Sequence, residues 1–454
     1  MDKINELANK PIGRLLAQYS MPATLSLLVS ALYQMTDRIF IGHIPNIGLL
    51  GLTAVGLTAP ITTIITALSA LLAFGAGSTI SILLGEEKKE QAEMTAGNSM
   101  IYALIMSLFV TVFYFIFKQH IFVLLKITGQ ASLYAANYLD IIILGTVVNV
   151  FSFIFPILIR SDGNPNFSMA VTLTGCILNI ILGANFIMVL NMGIQGASIA
   201  TVISQLTSTI MGLLYFFKGK SSLKISGKSF RLSFTLLKSM VKIGTVPCTN
   251  QLSVSVAQVV GNYSLMLYGG ELYVGAMTAI RSVFQLFMMG VYGMGQGFQP
   301  IVGYNYAKKN YQRTFQTLKL AMIWDVGILT IGFMLIQLFP AFWISLFIQD
   351  SILLDLAREG LQKFVMLLPL AVFVAVGTGF MMVTGKAKSA IMISISYQII
   401  ISAAVIYLLP LVIGTDGLWY SQPISDVLGG ILTVFLFIRG YGSLITKTRG
   451  LKKR

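Results

Sequence analysis

The stretch LTAVGLTAPITTIITALSALLAFGAGSTISILL, residues 52–84, contains no charged side chain. A helix of about 20 apolar residues crosses the hydrocarbon core of a bilayer. This stretch is long enough to cross a membrane and still tilt or protrude. Similar runs recur along all 454 residues, of which 56% are hydrophobic and only 10% are charged. The composition therefore predicts an all-α integral membrane protein and excludes a β-barrel, whose short strands alternate apolar and polar residues.

Twelve such runs predict twelve transmembrane helices, which we call spans 1 to 12. Their predicted bounds are 15–42, 52–84, 92–117, 133–159, 166–190, 194–217, 233–267, 273–303, 314–338, 356–384, 389–410 and 416–438.

Positive charge is concentrated on one side of these spans. Of the 31 Lys and Arg residues, all but six lie near the termini or the loops after even-numbered spans. The six are Arg38, Lys118, Lys126, Arg281, Arg358 and Lys363. Because cytoplasmic loops are rich in Lys and Arg, we predict a multi-pass protein of the cytoplasmic membrane with both termini in the cytosol. This placement explains the net charge of +15 without nucleic acid as a partner.

The two halves of the sequence resemble each other in three blocks, offset by 225, 218 and 221 residues. The paired blocks are MPATLSLLVS (21–30) with VPCTNQLSVS (246–255), FGAGSTISILLG (74–85) with YGMGQGFQPIVG (292–303), and GIQGASIATVIS (193–204) with GTDGLWYSQPIS (414–425). Six spans in each half carry both halves through the membrane in the same direction, so the repeat is parallel.

The repeat predicts two six-helix bundles, residues 1–217 and 233–454, joined by a cytosolic linker at 218–232. Two such bundles enclose a V-shaped cleft and can expose it alternately to each side by rocking. Pro22 and Pro247 occupy equivalent positions in the two halves. Because a proline removes a hydrogen bond and can kink its helix, we predict that these two residues are hinges.

Asp37 lies inside span 1, where a charge costs about 2.5–3.5 kcal/mol on insertion scales and so indicates function. Residues three or four apart share a helix face, so a polar stripe that includes Gln34, Tyr33 and Ser30 leads away from Asp37 and must face protein or water. The full set of substrate-cavity candidates comprises Ser30, Tyr33, Gln34, Asn250, Gln251, Gln258, Arg281 and Asp426. We expect Asp140 and Asp325 nearer span ends, at the membrane interface.

Four stretches give the chain a resemblance to the multidrug and toxic compound extrusion (MATE) family of bacteria. They are TDRIFIGH at 36–43, the glycine-rich end of span 2, LNIIL at 178–182 and GIQGASIAT at 193–201. The resemblance implies an antiporter that exports lipophilic, cationic small molecules in exchange for inward H⁺ or Na⁺. The sequence has no phosphate-binding loop, metal-ligand cluster or catalytic cluster, so we expect no ATP use, no bound metal, no other cofactor and no enzymatic reaction.

The resemblance also implies a cation-coupling site. Asp37, Asn179 and Thr201 match the family's Asp on helix 1, Asn on helix 5 and Thr on helix 6. The family often has Asn-Ile-Ile-Leu-Asp on helix 5, whereas this chain reads NIILG and ends on Gly183. Na⁺ favours several oxygen ligands and more than one negative charge, while a proton needs only one carboxylate. We therefore predict coupling to H⁺ rather than Na⁺.

Other functions are also compatible with a polytopic membrane protein. A flippase of the same superfamily would move a lipid-linked oligosaccharide, but such proteins tend to have a more basic cavity. A membrane-embedded enzyme would need a catalytic cluster, and a passive channel would show flux without ion dependence. The favoured hypothesis is a monomeric exporter whose partners are its substrates and membrane lipid.

Overall fold

The computed structural model describes residues 10–45, 47–85, 87–127, 129–218 and 221–451, except the side chains of Ser26, Tyr33, Ala307 and 443–451. Within these ranges all regular secondary structure is helical. The α-helices are Ile12–Gly42, Gly48–Gly85, Lys89–Leu124, Ala131–Leu144, Thr146–Ser161, Pro165–Ala184, Gly193–Phe217, Phe234–Ala307, Tyr311–Leu338, Pro340–Ser345, Ser351–Phe364, Ala371–Val383, Ala387–Ile395, Ala403–Ile413 and Asp416–Leu451. Gly227–Phe230 and Leu368–Leu370 are 3₁₀-helices, and Asn185–Val189 and Ser396–Ser402 are π-helices.

The helices account for the twelve predicted spans. In the described chain, nine helices are long and apolar enough to cross a membrane, and two bent pairs raise the number to eleven. One of the nine, Phe234–Ala307, is two helices that meet at Gly270, where φ is 70° and ψ is −166°. Counting these two separately gives the predicted twelve. The chain is therefore an all-α, multi-pass membrane protein.

The internal repeat is visible in the backbone. Spans 4 and 10 are the two bent pairs, with bends of 58° between Ala131–Leu144 and Thr146–Ser161 and 47° between Ser351–Phe364 and Leu368–Val383. The repeat offset makes these two breaks equivalent. Gly193 and Gly414 are likewise equivalent, and both have positive φ, 61° and 66°. Only glycine adopts this conformation at little cost, so the same turn opens spans 6 and 12.

Packing divides the chain into two compact units. The central unit is Thr36–Thr278, and the terminal unit is the chain up to Met35 together with Ala279–Arg454. The central unit thus contains span 7, and the terminal unit contains most of span 1. The predicted bundles, 1–217 and 233–454, divide the chain by its sequence repeat and not by packing. That these bundles move as units stays a prediction.

Hydrogen bonds between spans 2 and 7 explain why span 7 belongs to the central unit. Asn262 donates from Nδ2 to the carbonyl of Gly56 at 2.7 Å, and Ser255 donates from Oγ to the carbonyl of Pro60 at 2.9 Å. Polar side chains inside a membrane protein are retained where they satisfy such groups on a neighbouring helix.

Glycines also bring spans 2 and 7 into close contact, near the end of span 2 and the start of span 7. A Cβ built on Gly75 would lie 2.1 Å from the carbonyl oxygen of Met240, and one built on Gly244 would lie 1.9 Å from that of Leu71. Any larger residue at either position would separate the helices, because the opposing atoms are backbone. Small residues allow this kind of approach between membrane helices.

The terminal unit repeats this arrangement with spans 8 and 1. A Cβ built on Gly293 would lie 2.4 Å from the Cα of Thr24, and one built on Gly297 would lie 2.5 Å from the Cα of Ser20. The Ser20 hydroxyl also donates to the carbonyl of Met294 at 3.3 Å. The glycine-rich ends of spans 2 and 8, matched in the sequence, therefore make matching contacts with spans 7 and 1.

The linker is bound to the central unit rather than free. Asn98 of span 3 donates to the carbonyl of Arg231 at 2.9 Å and accepts from the backbone N–H of Ser233 at 2.8 Å. Asp162, after span 4, accepts from the hydroxyl of Ser221 at 2.8 Å. The described part of the linker thus follows a defined path across the end of the central unit.

Candidate functional site

Asp37 is buried in the central unit, near the end of the helix Ile12–Gly42. Asp37 is 9% exposed, and its Oδ1 has no hydrogen-bond partner among the described residues. A buried polar atom without a partner is costly, most of all if the group is charged. Asp37 therefore places an unsatisfied carboxylate oxygen at a buried position of the described structure.

Asn179 and Thr201 contact each other. Nδ2 of Asn179 donates to Oγ1 of Thr201 at 3.0 Å, and both residues are buried. Span 5 carries the amide and span 6 carries the hydroxyl. The predicted pairing of these two residues in one polar group therefore has a direct hydrogen bond in the structure.

A contact between spans 1 and 5 relates this pair to Asp37. A Cβ built on Gly183 would lie 3.3 Å from Cδ2 of Phe40. The two spans run in the same direction through the membrane. Asp37 lies three residues before Phe40, and Asn179 lies four residues before Gly183, about one helical turn in each case. Asp37 and Asn179 are therefore at the same level on neighbouring helices of the central unit.

The polar stripe that precedes Asp37 is only partly described. Ser30 is half-buried and Gln34 is exposed on the helix Ile12–Gly42. The side chain of Tyr33 lies outside the described residues. The helix runs through Pro22 without a break. A hinge at Pro22, and one at Pro247 within Phe234–Ala307, therefore stay predictions.

The polar residues of span 7 differ in their surroundings. Asn250 is exposed and Gln251 is half-buried. Gln258 accepts a hydrogen bond on Oε1 from Thr63 at 2.9 Å, so it also joins spans 7 and 2. No sequence pattern pointed to Thr63. The contribution of these residues to a substrate cavity stays a prediction.

Asp426 lies in a polar cluster of the terminal unit. Arg281, elsewhere in the same unit's sequence, is half-buried. Its Oδ1 accepts from the hydroxyl of Tyr397 at 2.5 Å and from Nε2 of Gln422 at 3.0 Å. Gln422 precedes Asp426 by four residues on one helix, so sequence spacing could have identified it. Tyr397 comes from the π-helix Ser396–Ser402, which no sequence pattern predicted.

Asp325 is not at a span end, and that expectation is wrong. It lies midway along Tyr311–Leu338, it is 0% exposed, and neither carboxylate oxygen has a hydrogen-bond partner in the part of the chain that the structure describes. The apolar residues on both sides of Asp325 were the signal for this position. Asp140, in contrast, is partly exposed and pairs with Lys118 at 2.6 Å.

Comparison with known proteins identifies relatives over nearly the whole chain. The sequence model of the MatE family matches twice, at residues 22–185 and 248–408. The chain is 25% identical over 425 residues to the multidrug export protein MepA of Staphylococcus haemolyticus (strain JCSC1435), covering 94% of this chain and 93% of that protein. Two successive matches to one family model are what an internal repeat produces.

Solved structures show the same similarity. One is an inward-facing multidrug resistance MATE family transporter of the MOP superfamily, with a TM-score of 0.87, 25% identity, and coverage of 94% of this chain and 99% of that one. Another is the MATE multidrug transporter DinF-BH in complex with a drug-like ligand, with a TM-score of 0.78, 33% identity, and coverage of 94% and 96%.

Proposed function

Because the chain belongs to the MatE family of membrane transporters, we propose that it exports lipophilic, cationic small molecules in exchange for inward protons, and that Asp37 couples the two flows. The observation that carries this proposal is the carboxylate itself. Asp37 is buried, its Oδ1 lacks a partner among the described residues, and it lies level with the Asn179–Thr201 pair. The relatives named as a multidrug export protein and a multidrug transporter support the substrate class.

The mechanism is competition for one carboxylate. A proton on Asp37 removes the charge that a cationic substrate would pair with, while the ionised form attracts that substrate. If protons reach Asp37 from outside and substrate reaches it from the cytosol, each displaces the other. Alternating access then converts inward proton flow into outward substrate flow.

Protons are favoured over Na⁺ because position 183 is a glycine. The ring of Phe40 lies against Gly183, so the place of a second carboxylate is next to an aromatic ring rather than open to an ion. Asp37, Asn179 and Thr201 then offer one negative charge and few oxygen ligands. A proton needs only the carboxylate, so this set suits it better.

The test is transport in vesicles made with purified wild-type protein and two variants. Under an inward pH gradient, wild-type protein should move ethidium, and Asp37→Asn should abolish this movement because its amide cannot exchange a proton. Asp140→Asn is the matched control, because it removes an acid that pairs with Lys118 instead of standing unpaired. The control should keep most of the wild-type rate.

Three results would count against the proposal. Accumulation that requires a Na⁺ gradient would replace the proton as the coupling ion. A normal rate for Asp37→Asn would remove Asp37 from the mechanism. Movement of a lipid-linked oligosaccharide in place of ethidium would identify a flippase.

A further inference from the structure

The most isolated charged side chain in the described structure is Asp325 of the terminal unit. Both of its carboxylate oxygens are buried without a hydrogen-bond partner among the described residues. A satisfied structural acid would accept hydrogen bonds from neighbouring donors, as Asp426 does from Tyr397 and Gln422. An acid with no such donors must obtain its positive partner from solution.

Two contacts fix which part of span 10 lies opposite Asp325. The rings of Phe315 and Phe380 are 5.9 Å apart, and Nε2 of Gln337 donates to the carbonyl of Gln362 at 2.8 Å. Asp325 lies about 15 Å along the helix from Phe315 and about 18 Å from Gln337, at 1.5 Å per residue. Counting the same distances along span 10 reaches the first turn of Ala371–Val383.

This first turn is where span 10 is broken. The 3₁₀-helix Leu368–Leu370 contains Pro369, which has no N–H to continue the helix, and it packs against span 9. The 47° bend lies here. Helix N-termini carry partial positive charge, and transporters build ion sites from broken helices near the middle of the bilayer. Asp325 thus lies at the level of the kind of element that opens a path to a buried group.

The second buried acid of the terminal unit is at the same level. A Cβ built on Gly429 would lie 3.1 Å from Cγ2 of Val374, which aligns spans 12 and 10. Asp426 lies three residues before Gly429, so it is level with Ala371. The break in span 10 therefore has Asp325 at its level on span 9 and Asp426 at its level on span 12.

The repeat shows that the fold does not require this acid. The stretch of span 3 equivalent to Asp325 is 100–107, which has no charged residue and includes the buried Ala103. In the central unit, Thr111 of span 3 donates to the carbonyl of Ile143 at 3.1 Å, next to the break at Gly145. A neutral hydroxyl thus serves the equivalent break. Asp325 is an addition in the second half.

The other charged groups near span 9 do not pair with Asp325 in the described structure. A Cβ built on Gly290 would lie 3.1 Å from Cγ2 of Ile328, which brings Gly293 of span 8 level with Asp325. Within the terminal unit, the titratable or charged residues on the elements that pack against span 9 are Arg14 and Tyr19 on span 1; Arg281, Tyr292, Tyr304 and Tyr306 on span 8; Asp355, Arg358, Glu359 and Lys363 on span 10; and Asp416, Tyr420, Asp426, Arg439 and Tyr441 on span 12.

Lys363, the lysine among them, is bound by Glu359 at 2.6 Å and by Asp416 at 2.7 Å. It lies next to Gln362 in the chain, and is therefore about 18 Å from the level of Asp325. The charge of Lys363 is thus already satisfied at a distant level.

We propose that Asp325 is a second proton-binding site of this transporter, separate from Asp37, and that the break in span 10 gives the proton access to it. The proposal rests on the proposed proton-coupled export for its role in transport, but the presence of the proton can be tested alone. The proposed ligand is a proton, because among the described residues no group of three His, Cys, Asp or Glu side chains is placed to hold a metal ion. Its release leaves a carboxylate whose charge favours opening of the break to water.

Infrared difference spectroscopy tests the site without transport. Protein in lipid nanodiscs is titrated from acid to alkaline pH, and the carbonyl stretch of protonated carboxyl groups is followed. Asp325→Asn should delete one such band, Asp325→Glu should shift it, and Asp140→Asn should leave it unchanged. Identical spectra for the wild-type protein and Asp325→Glu would overturn the proposal. This comparison does not depend on the folding of Asp325→Asn, because Asp325→Glu keeps a carboxyl group at the position.

Vesicle transport then tests the coupling. Asp325→Asn should lose ethidium accumulation driven by a pH gradient but retain ethidium–ethidium exchange without a gradient. Accumulation at the wild-type rate would overturn a role for the second proton in coupling. If the wild-type protein itself ignores the pH gradient, the proposed function fails, while the infrared band still decides whether Asp325 binds a proton.

Discussion

The absence of a side chain at Gly183 determines the room around Asp37, the carboxylate proposed for coupling. Phe40 is half-buried, and its ring lies against Gly183 in the central unit. A carboxylate at 183 would have to displace that ring before it could reach the level of Asp37. The glycine and the phenylalanine therefore act together to leave a single acid in this part of the site.

This pairing predicts the behaviour of Gly183→Asp. The new Cβ would lie 3.3 Å from Cδ2 of Phe40, so the ring must shift, and overpacking of this kind costs about 1–3 kcal/mol. We expect the single variant to unfold at a lower temperature and to keep pH-driven export. Adding Phe40→Ala makes room for the second carboxylate, and only the double variant should respond to a Na⁺ gradient.

The measurements are thermal unfolding in detergent and ethidium transport under separate H⁺ and Na⁺ gradients, with Phe40→Ala alone as the control. A single Gly183→Asp variant that gains Na⁺ dependence at an unchanged unfolding temperature would show that Phe40 does not limit the site.

At the scale of helices, glycines determine which spans lie together. Gly293 and Gly297 let span 8 approach the backbone of span 1 on either side of Pro22, at Thr24 and Ser20. If span 1 bends at this proline during transport, the glycines on the opposing helix are the surface over which it moves. Both the close contact between spans 1 and 8 and the movement of span 1 then depend on Gly293 and Gly297.

Gly293→Val should therefore impair both stability and export. Its Cβ would lie 2.2 Å from Oγ1 and 2.4 Å from Cα of Thr24, which can be relieved only by separating the helices. We expect a loss of about 1–3 kcal/mol in the free energy of unfolding. Gly295→Val is the matched control two residues away, because nothing lies within 4 Å of a Cβ built there.

Unfolding temperature and ethidium transport, measured on both variants, check this prediction. Equal effects of Gly293→Val and Gly295→Val would mean that loss of glycine itself, rather than contact with span 1, is responsible.

Apolar run lengths and the repeat were sufficient to predict the number and order of the spans. They could not predict the break at Gly145 or the π-helices, because these change the backbone without changing the apolar pattern. The break in span 10 coincides with Pro369, whose missing N–H has a direct backbone consequence. The packing of span 7 with span 2 was missed because Gln258, a predicted cavity residue, instead bonds Thr63 of span 2, and the sequence does not show that partner.

The same contrast, between what the sequence pattern shows and what depends on the fold, applies to the candidate site. Asp37, Asn179 and Thr201 could be named as candidates from the sequence because of the resemblance, and their coupling role stays a prediction. Asp325 was misjudged although the predicted bounds of span 9, 314–338, already place this residue near the middle of the span. Its lack of partners is a property of the fold, and no spacing rule reveals it.

At the scale of the whole molecule, the charge distribution predicts which side of the membrane each loop occupies. The linker and the loop after span 10 carry Lys228 and Lys388, both exposed, while Gln130 is exposed in the loop after span 3. The positive-inside rule places the first two in the cytosol and the third outside. The predicted orientation therefore puts the linker on the side from which the proposed exporter would take up its substrate.

Single cysteines test the orientation directly. The two native cysteines, Cys176 and Cys248, are buried, so they should react slowly with a membrane-impermeant maleimide in intact cells. Gln130→Cys should be labelled in intact cells, whereas Lys228→Cys and Lys388→Cys should be labelled only after permeabilisation, since the reagent cannot cross the bilayer. Labelling of the two lysine positions in intact cells, with protection of position 130, would reverse the predicted topology.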